Sequence, residues 1–220
     1  REGVAQNPST PPDILVQLAT DIHEWVRERV AQNPHTPADI LAQLAMDKSE
    51  IVRAGVAENS KANSSILSKL ADDKSKTVRA GVAENPVVSS DVLNQLAIDK
   101  NEAIRRCVIK NPNTPSDPLI QFAKDEKYGV RVIVAEHINT PPDVLVELAA
   151  DKDQRVREAI AKNPNTQSGV LNRLAEDKNE RIREKVTQNP NTLADTLDQL
   201  STDKAYNVRM GVAENPNTSH

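Results

Sequence analysis

Aromatic residues are nearly absent: one Trp, two Tyr and one Phe make up 2% of 220 residues. A single globular core of this size is normally built around many more large rings. Leu, Ile, Val and Ala must do the packing instead, which points to many small cores repeated along the chain. Cysteine occurs once, at Cys107. That excludes an internal disulfide and a cysteine-rich metal site and makes a reducing compartment, the cytoplasm, the expected location. Long apolar runs are missing: none approaches the roughly 20 residues that cross a bilayer as a helix. No basic, apolar, small-residue opening of a secretion signal is present either. Charge of one sign is also lacking, with 28 basic residues against 32 acidic and a net charge of -4, so neither half is a basic arm or an acidic tail.

Chemical motifs are absent as well. There is no Gly-x-Gly-x-x-Gly, no phosphate-binding Gly-Lys-Ser and no serine elbow. The histidines His23, His35, His137 and His220 lack His-x3-His spacing and give no reason to expect zinc. Triplets such as Asp151-Lys152-Asp153 lack the Gly and the final Glu of a calcium loop. The expectation is a non-enzymatic protein with no cofactor, no metal, no membrane contact and no small-molecule substrate.

What is present is a repeat. Val4-Ala5-Gln6-Asn7-Pro8 returns at Val30, Val56, Val82, Val108, Val134, Ile160, Val186 and Val212, each step being 26 residues without insertion or deletion. The array therefore reads as a partial repeat 1–3, repeats 4–29, 30–55, 56–81, 82–107, 108–133, 134–159, 160–185 and 186–211, and a partial repeat 212–220. We expect one continuous solenoid. Arg1-Glu2-Gly3 matches the end of a unit, so the chain starts and stops inside repeats. Neither end shows the polar cap of a terminal repeat, and a piece of a longer array is expected. Numbering each unit from its Val, position 12 is always Leu, position 18 always Asp and position 24 always Arg.

Two helices per unit follow from local chemistry. In Thr140-Pro141-Pro142-Asp143, Thr140 is a natural N-cap and Pro141 suits a first turn, with Asp143 completing a reciprocal cap. Apolar residues Val144, Leu145, Leu148 and Ala149 then form one stripe at helical period. In Asp47-Lys48-Ser49-Glu50 the Asp and the Glu three residues later form a second cap signature. Val156, Ile160 and Ala161 repeat the stripe, and Asn-Pro ends the helix because Asn tolerates a turn and Pro disfavours helical geometry in the residue before it. Helices of about ten residues are marginal alone, so each unit must lean on its neighbours. The fold class is all-α, a solenoid of two-helix repeats with no β-sheet.

The pattern Val-Ala-x-Asn-Pro-x-Thr-Pro-x-Asp-x-Leu-x-x-Leu-Ala-x-Asp-x-x-x-x-Val-Arg resembles the leucine-rich repeat variant family over nearly the entire chain. The resemblance implies a right-handed superhelix in which α-helices alternate with short 3₁₀ helices. Some members carry a cysteine-rich N-terminal segment that binds an iron-sulfur cluster; with Cys107 alone, that cluster is not carried over. Three repeats depart from the pattern. Ser60-Lys61-Ala62-Asn63 predicts a looser cap, Pro118 predicts a delayed helix start, and Phe122 and His137-Ile138 add to an irregularity expected around residues 108–140.

The Asp and Arg columns read as a structural ladder, since an Arg at the edge of a buried stripe needs acceptors for its five donors and burying it unpaired would cost several kcal/mol. Cys107 shares its register with Gly55, Gly81 and Ala159 and reads as a small buried apolar residue. The rings carry the functional signal. Trp25, Tyr128 and Tyr206 fall on the outer face of the second helix, and Val132 and Met210 lie one turn beyond the two tyrosines. Large apolar groups on a charged face serve as anchors for a partner, so protein binding through the superhelical surface is the leading reading. Two alternatives remain. One is a nucleic-acid-binding solenoid using the Lys48, Lys74, Lys100, Lys152, Lys178 and Lys204 column, disfavoured by the acidic neighbours and net charge. The other is the arm of a larger protein whose redox or enzymatic part lies outside this chain.

Overall fold

A computed structural model describes residues 1–218, and His220 lies outside them. The chain divides into two compact units, Arg1–Pro115 and Ser116–His220, and the boundary falls inside the stretch where the repeat pattern departs. Among the described residues every regular element is an α-helix and there is no strand.

In the first unit a short opening helix, Glu2–Gln6, is followed by Pro12–Leu18, Ala38–Leu44, Ser64–Leu70 and Ser90–Ala97, which alternate with Glu24–Gln32, Glu50–Glu58, Lys76–Glu84 and Glu102–Lys110. In the second, Ser116–Phe122, Pro142–Leu148, Ser168–Leu174 and Ala194–Leu200 alternate with Tyr128–Glu136, Gln154–Lys162, Glu180–Gln188 and Tyr206–Glu214. Within each unit the nine-residue helices pack on one another in chain order, each supported by the short helices beside it. The short helices are α rather than 3₁₀: Leu15 N–H bonds Pro11 O and Ala19 N–H bonds Leu15 O, at 3.2 and 2.9 Å, with 3₁₀-type bonds such as Ile14 N–H to Pro11 O only at the ends.

The invariant Leu column is the floor of each layer, every member from Leu15 to Leu197 being 1% exposed or less. Val26, Val52 and Val78, with Val30, Val56 and Val82, close the seam above it in the first unit. Burying one such side chain stabilises by roughly 1.5–3 kcal/mol, which is what holds helices too short to stand alone.

Several sequence expectations are corrected by where the polar side chains point. Thr140 does not cap the helix after it. That helix has Pro141 at its N-cap and no side-chain cap bond, while the Thr140 hydroxyl donates backwards to Val134 O at 2.5 Å. Thr36, Thr166 and Thr192 do the same to Val30, Ile160 and Val186. The hydroxyl thus satisfies a carbonyl at the end of the preceding helix. The invariant Asp is likewise not an N-cap: Ser49 and Asn101 hold those positions. Asp47 Oδ1 instead accepts the Ser49 N–H at 2.8 Å, and Asp99 Oδ1 the Asn101 N–H at 2.7 Å, each an Asx turn that aims the chain into the second helix.

The Asn of Asn-Pro is not there to tolerate a left-handed turn, because none of the described residues has positive φ. Asn59 instead donates from Nδ2 to Ala31 O and Asn33 O, at 2.7 and 3.0 Å, while its Oδ1 accepts the Lys61 N–H. Asn33, Asn85 and Asn111 repeat this in the first unit and Asn163, Asn189 and Asn215 in the second. Within each unit an amide ladder therefore joins successive layers. His137 stands in for Asn in that column, its Nδ1 accepting the Asn139 N–H at 3.0 Å.

The irregular repeats fold more regularly than expected. Asn63 caps its helix through its side chain, accepting the Ile66 N–H at 3.0 Å, a bond the proline-started helices lack. Pro118 delays nothing: its helix begins at Ser116, the usual register, because the third residue of a helix has no intrahelical partner for its N–H. Phe122 is buried in the place of the core Leu.

Candidate functional site

The Arg and Asp columns come together in both units. Arg27 Nε and Nη2 grip the Asp47 carboxylate at 2.6 and 2.9 Å, while its Nη1 donates to Asp21 O at 2.7 Å. Arg53 with Asp73, Arg79 with Asp99, Arg131 with Asp151, Arg157 with Asp177 and Arg183 with Asp203 repeat the arrangement. Burial by itself would raise the Asp47 carboxyl, but the Arg27 hydrogen bond and the Ser49 amide outweigh it and hold the group below the usual carboxylate range. Arg27 is raised in turn, the Asp47 hydrogen bond foremost, against the opposing effect of burial. Each pair is a joint between layers in which the two charges answer each other.

Cys107 is half-covered rather than buried. Its thiol meets Glu84 Oε1 at 3.0 Å, and burial together with that carboxylate pushes its pKa up to about 11. A thiol so protonated is a poor nucleophile. Iron-sulfur clusters take several cysteine thiolates, so the residues present do not fit one. Among the described residues no group of three or more His, Cys, Asp and Glu side chains is arranged to hold a metal. Among the described residues no helix is long and apolar enough to cross a membrane.

The rings selected from the sequence lie on the outward face of the nine-residue helices. Trp25 in the first unit is 61% exposed, and in the second unit Tyr206 and Met210 are 68% and 43% exposed on one helix. Tyr128 and Val132 belong to the helix Tyr128–Glu136, three layers before Tyr206–Glu214 within the same unit. The rings therefore do not converge on one pocket.

One of them is built into a groove. Tyr128, Val132 and Ala159 form its apolar walls and floor, with an opening of about 270 Å³. The Arg155 guanidinium lies 3.5 Å from the centre of the Tyr128 ring, a cation–π contact. Arg155 is itself fixed by Asp153, through Nε to Oδ1 at 3.0 Å and Nη2 to Oδ2 at 2.8 Å. Those bonds, with the Arg155 amide, hold the Asp153 carboxyl down to about 2. Sequence spacing did not select Arg155, Asp153 or Gly129, because the pairing is made across two layers.

With this geometry in place, the chain can be compared with known proteins. The description "Leucine rich repeat variant" matches residues 1–21, 24–49 and 128–153. Those three segments resemble leucine-rich repeat variant units. The chain is similar to a solved structure described as a leucine-rich repeat variant with a novel repetitive protein structural motif, at 25% identity and a TM-score of 0.68, over 96% of this chain and 84% of that one. It is also similar in fold to the YibA protein of Escherichia coli, at 23% identity and a TM-score of 0.55, over 96% of this chain and 94% of that one. A comparison with curated proteins finds no match. Within each unit the Arg, Asp and Asn columns join successive layers, and the outward positions are where this chain varies.

Proposed function

We propose that this leucine-rich repeat variant array is a non-enzymatic scaffold that binds another protein through the outward face of its nine-residue helices. The observation that carries the reading is the exposure of Trp25, Tyr206 and Met210 on helices whose other outward positions are mostly charged. Large apolar groups held on the outward face of a packed helix act as anchors at low entropic cost. The grooved Tyr128 and Val132 add a second such point in the second unit. A reducing compartment such as the cytoplasm suits a chain with one cysteine.

A tagged chain expressed in its own cells tests this, alongside a Trp25→Ser, Tyr128→Ser, Tyr206→Ser variant of equal abundance. The wild type should retain a partner protein that the triple variant loses. Recovery of the same proteins by both, or of none beyond the tag control, overturns the reading. The lysine column favours nucleic acid less. Glu50, Glu102 and Glu180 stand two residues after Lys48, Lys100 and Lys178, and the chain is net negative at -4, opposite to the usual electrostatic footprint. A mobility shift with duplex at low salt, where phosphate contacts are strongest, would revive it. The arm-of-a-larger-protein reading is compatible with scaffolding and is decided by the parent sequence.

A further inference from the structure

Gly129 is the second residue of the helix Tyr128–Glu136, and a Cβ built on it would meet nothing within 4 Å. At the same register the later repeats of this unit carry Arg155, Arg181 and Asn207. Glycine in a helix is less favourable than alanine, and no neighbour or backbone angle demands it here. Its effect is to leave the space beside the Tyr128 ring open. Gly55, by contrast, sits where a Cβ would come within 3.1 Å of Ala31 Cβ, so packing explains it.

The walls of that space are fixed before anything enters. Arg155 clamps one side of the Tyr128 ring and is held by Asp153, while Val132 is half-buried one turn along the helix. The charge around the groove is unbalanced. Arg155 is matched by Asp153, and Lys162 by Glu158 at 2.6 Å. Of the four charged groups that line the groove, Arg155, Lys162, Glu158 and Glu136, the exposed Glu136 has no ion-pair partner among the described residues, because Arg155 is answered by Asp153 from outside the lining.

The geometry points to this groove as the seat of one large apolar side chain from a partner peptide that carries a lysine or arginine close by, the apolar group lying between Tyr128 and Val132 and the cation facing Glu136. The inference deepens the protein-binding reading and rests on it. The opening of about 270 Å³ takes a Leu, Met or Phe side chain rather than a folded domain edge, and the unmatched carboxylate selects the sign of the flanking charge.

The full chain, immobilised, is panned with random dodecapeptides displayed on phage, and the selected sequences are remade and measured by fluorescence anisotropy. The expected consensus pairs a large apolar residue with Lys or Arg. Gly129→Leu, whose Cβ has open space and whose branch would occupy the opening, should weaken these peptides by about tenfold with a melting temperature no lower than that of the wild type. Glu136→Lys should weaken them and shift selection towards acidic residues, whereas Trp25→Ser leaves them alone. Peptides that bind Gly129→Leu as well as wild type, an acidic consensus, or no enrichment at all overturns the groove. A groove that fails while the triple variant still loses its cellular partner leaves the scaffold reading intact, so the two failures are distinguishable.

Discussion

Arg53 holds two layers at once: its Nη1 donates to Asp47 O in its own repeat at 2.7 Å, and its Nε and Nη2 grip the Asp73 carboxylate of the next at 2.6 and 3.0 Å. Both side chains are 9% exposed. Asp73→Asn would leave the guanidinium largely buried and unmatched, which typically costs about 3–5 kcal/mol. Urea unfolding measures this. As a control, removing the more exposed Arg29–Glu2 pair should cost under about 1 kcal/mol. Equal losses from both substitutions would mean the ladder is ornamental.

Acid should unzip the array. Asp47, Asp73, Asp99, Asp151, Asp177 and Asp203 all titrate below the ordinary carboxylate range when folded. For Asp203 the Arg183 hydrogen bond is the largest cause; for the others, burial opposes the shift and the Arg outweighs it. A depressed folded pKa means stability that is fully present above the unfolded value of about 3.9 and lost as pH falls through the folded values. Melting temperature should be nearly level from neutral pH to about 5 and drop steeply below about 4. A melting temperature unchanged well below that range would refute the role given to these pairs.

Asn59→Ala removes the donor that serves Ala31 O and Asn33 O. Each buried carbonyl left without a partner costs about 1–3 kcal/mol. Asn59→Asp should be worse than Asn59→Ala at neutral pH, since a carboxylate would face two carbonyls. Chemical denaturation ranks the two, and the reverse order would contradict the amide ladder.

Val88 occupies the Thr position of its repeat and is 3% exposed. Val88→Thr places a hydroxyl near Val82 O, as Thr36 does for Val30. A net gain of about 0.5–1.5 kcal/mol is expected, read as a higher denaturant midpoint. A loss would mean the hydroxyl finds no acceptor there.

Glycines should behave in opposite ways. Gly129→Ala has open space and should stabilise by up to about 1 kcal/mol. Gly211→Ala puts a Cβ 2.0 Å from Thr187 Oγ1 and forces that side chain to turn, so it should destabilise. Melting curves of the two variants decide it, and a gain at both positions would show that Thr187 yields freely.

The ring positions were legible because Trp25, Tyr128 and Tyr206 share a face at helical period. The groove was not. Arg155 approaches Tyr128 from 27 residues away, one repeat plus one, and nothing in linear spacing says which of the outward arginines turns towards a ring. Cys107 was expected to be buried because its register is glycine-rich. The thiol instead reaches the half-open edge beside Glu84, since a longer side chain at a tight position is pushed outwards.

By itself the amino-acid sequence determined the period, the two helices of each unit and the aliphatic seam, because those follow from apolar spacing and from residues that start or stop a helix locally. Tertiary structure alone decided what the polar columns do. Thr140 turned back to Val134, Asp47 went to Arg27 and Asn59 went to the carbonyls of the layer before. A side chain's preference for a cap is worth about 1 kcal/mol, and a neighbouring layer that brings buried donors and acceptors within reach outbids it.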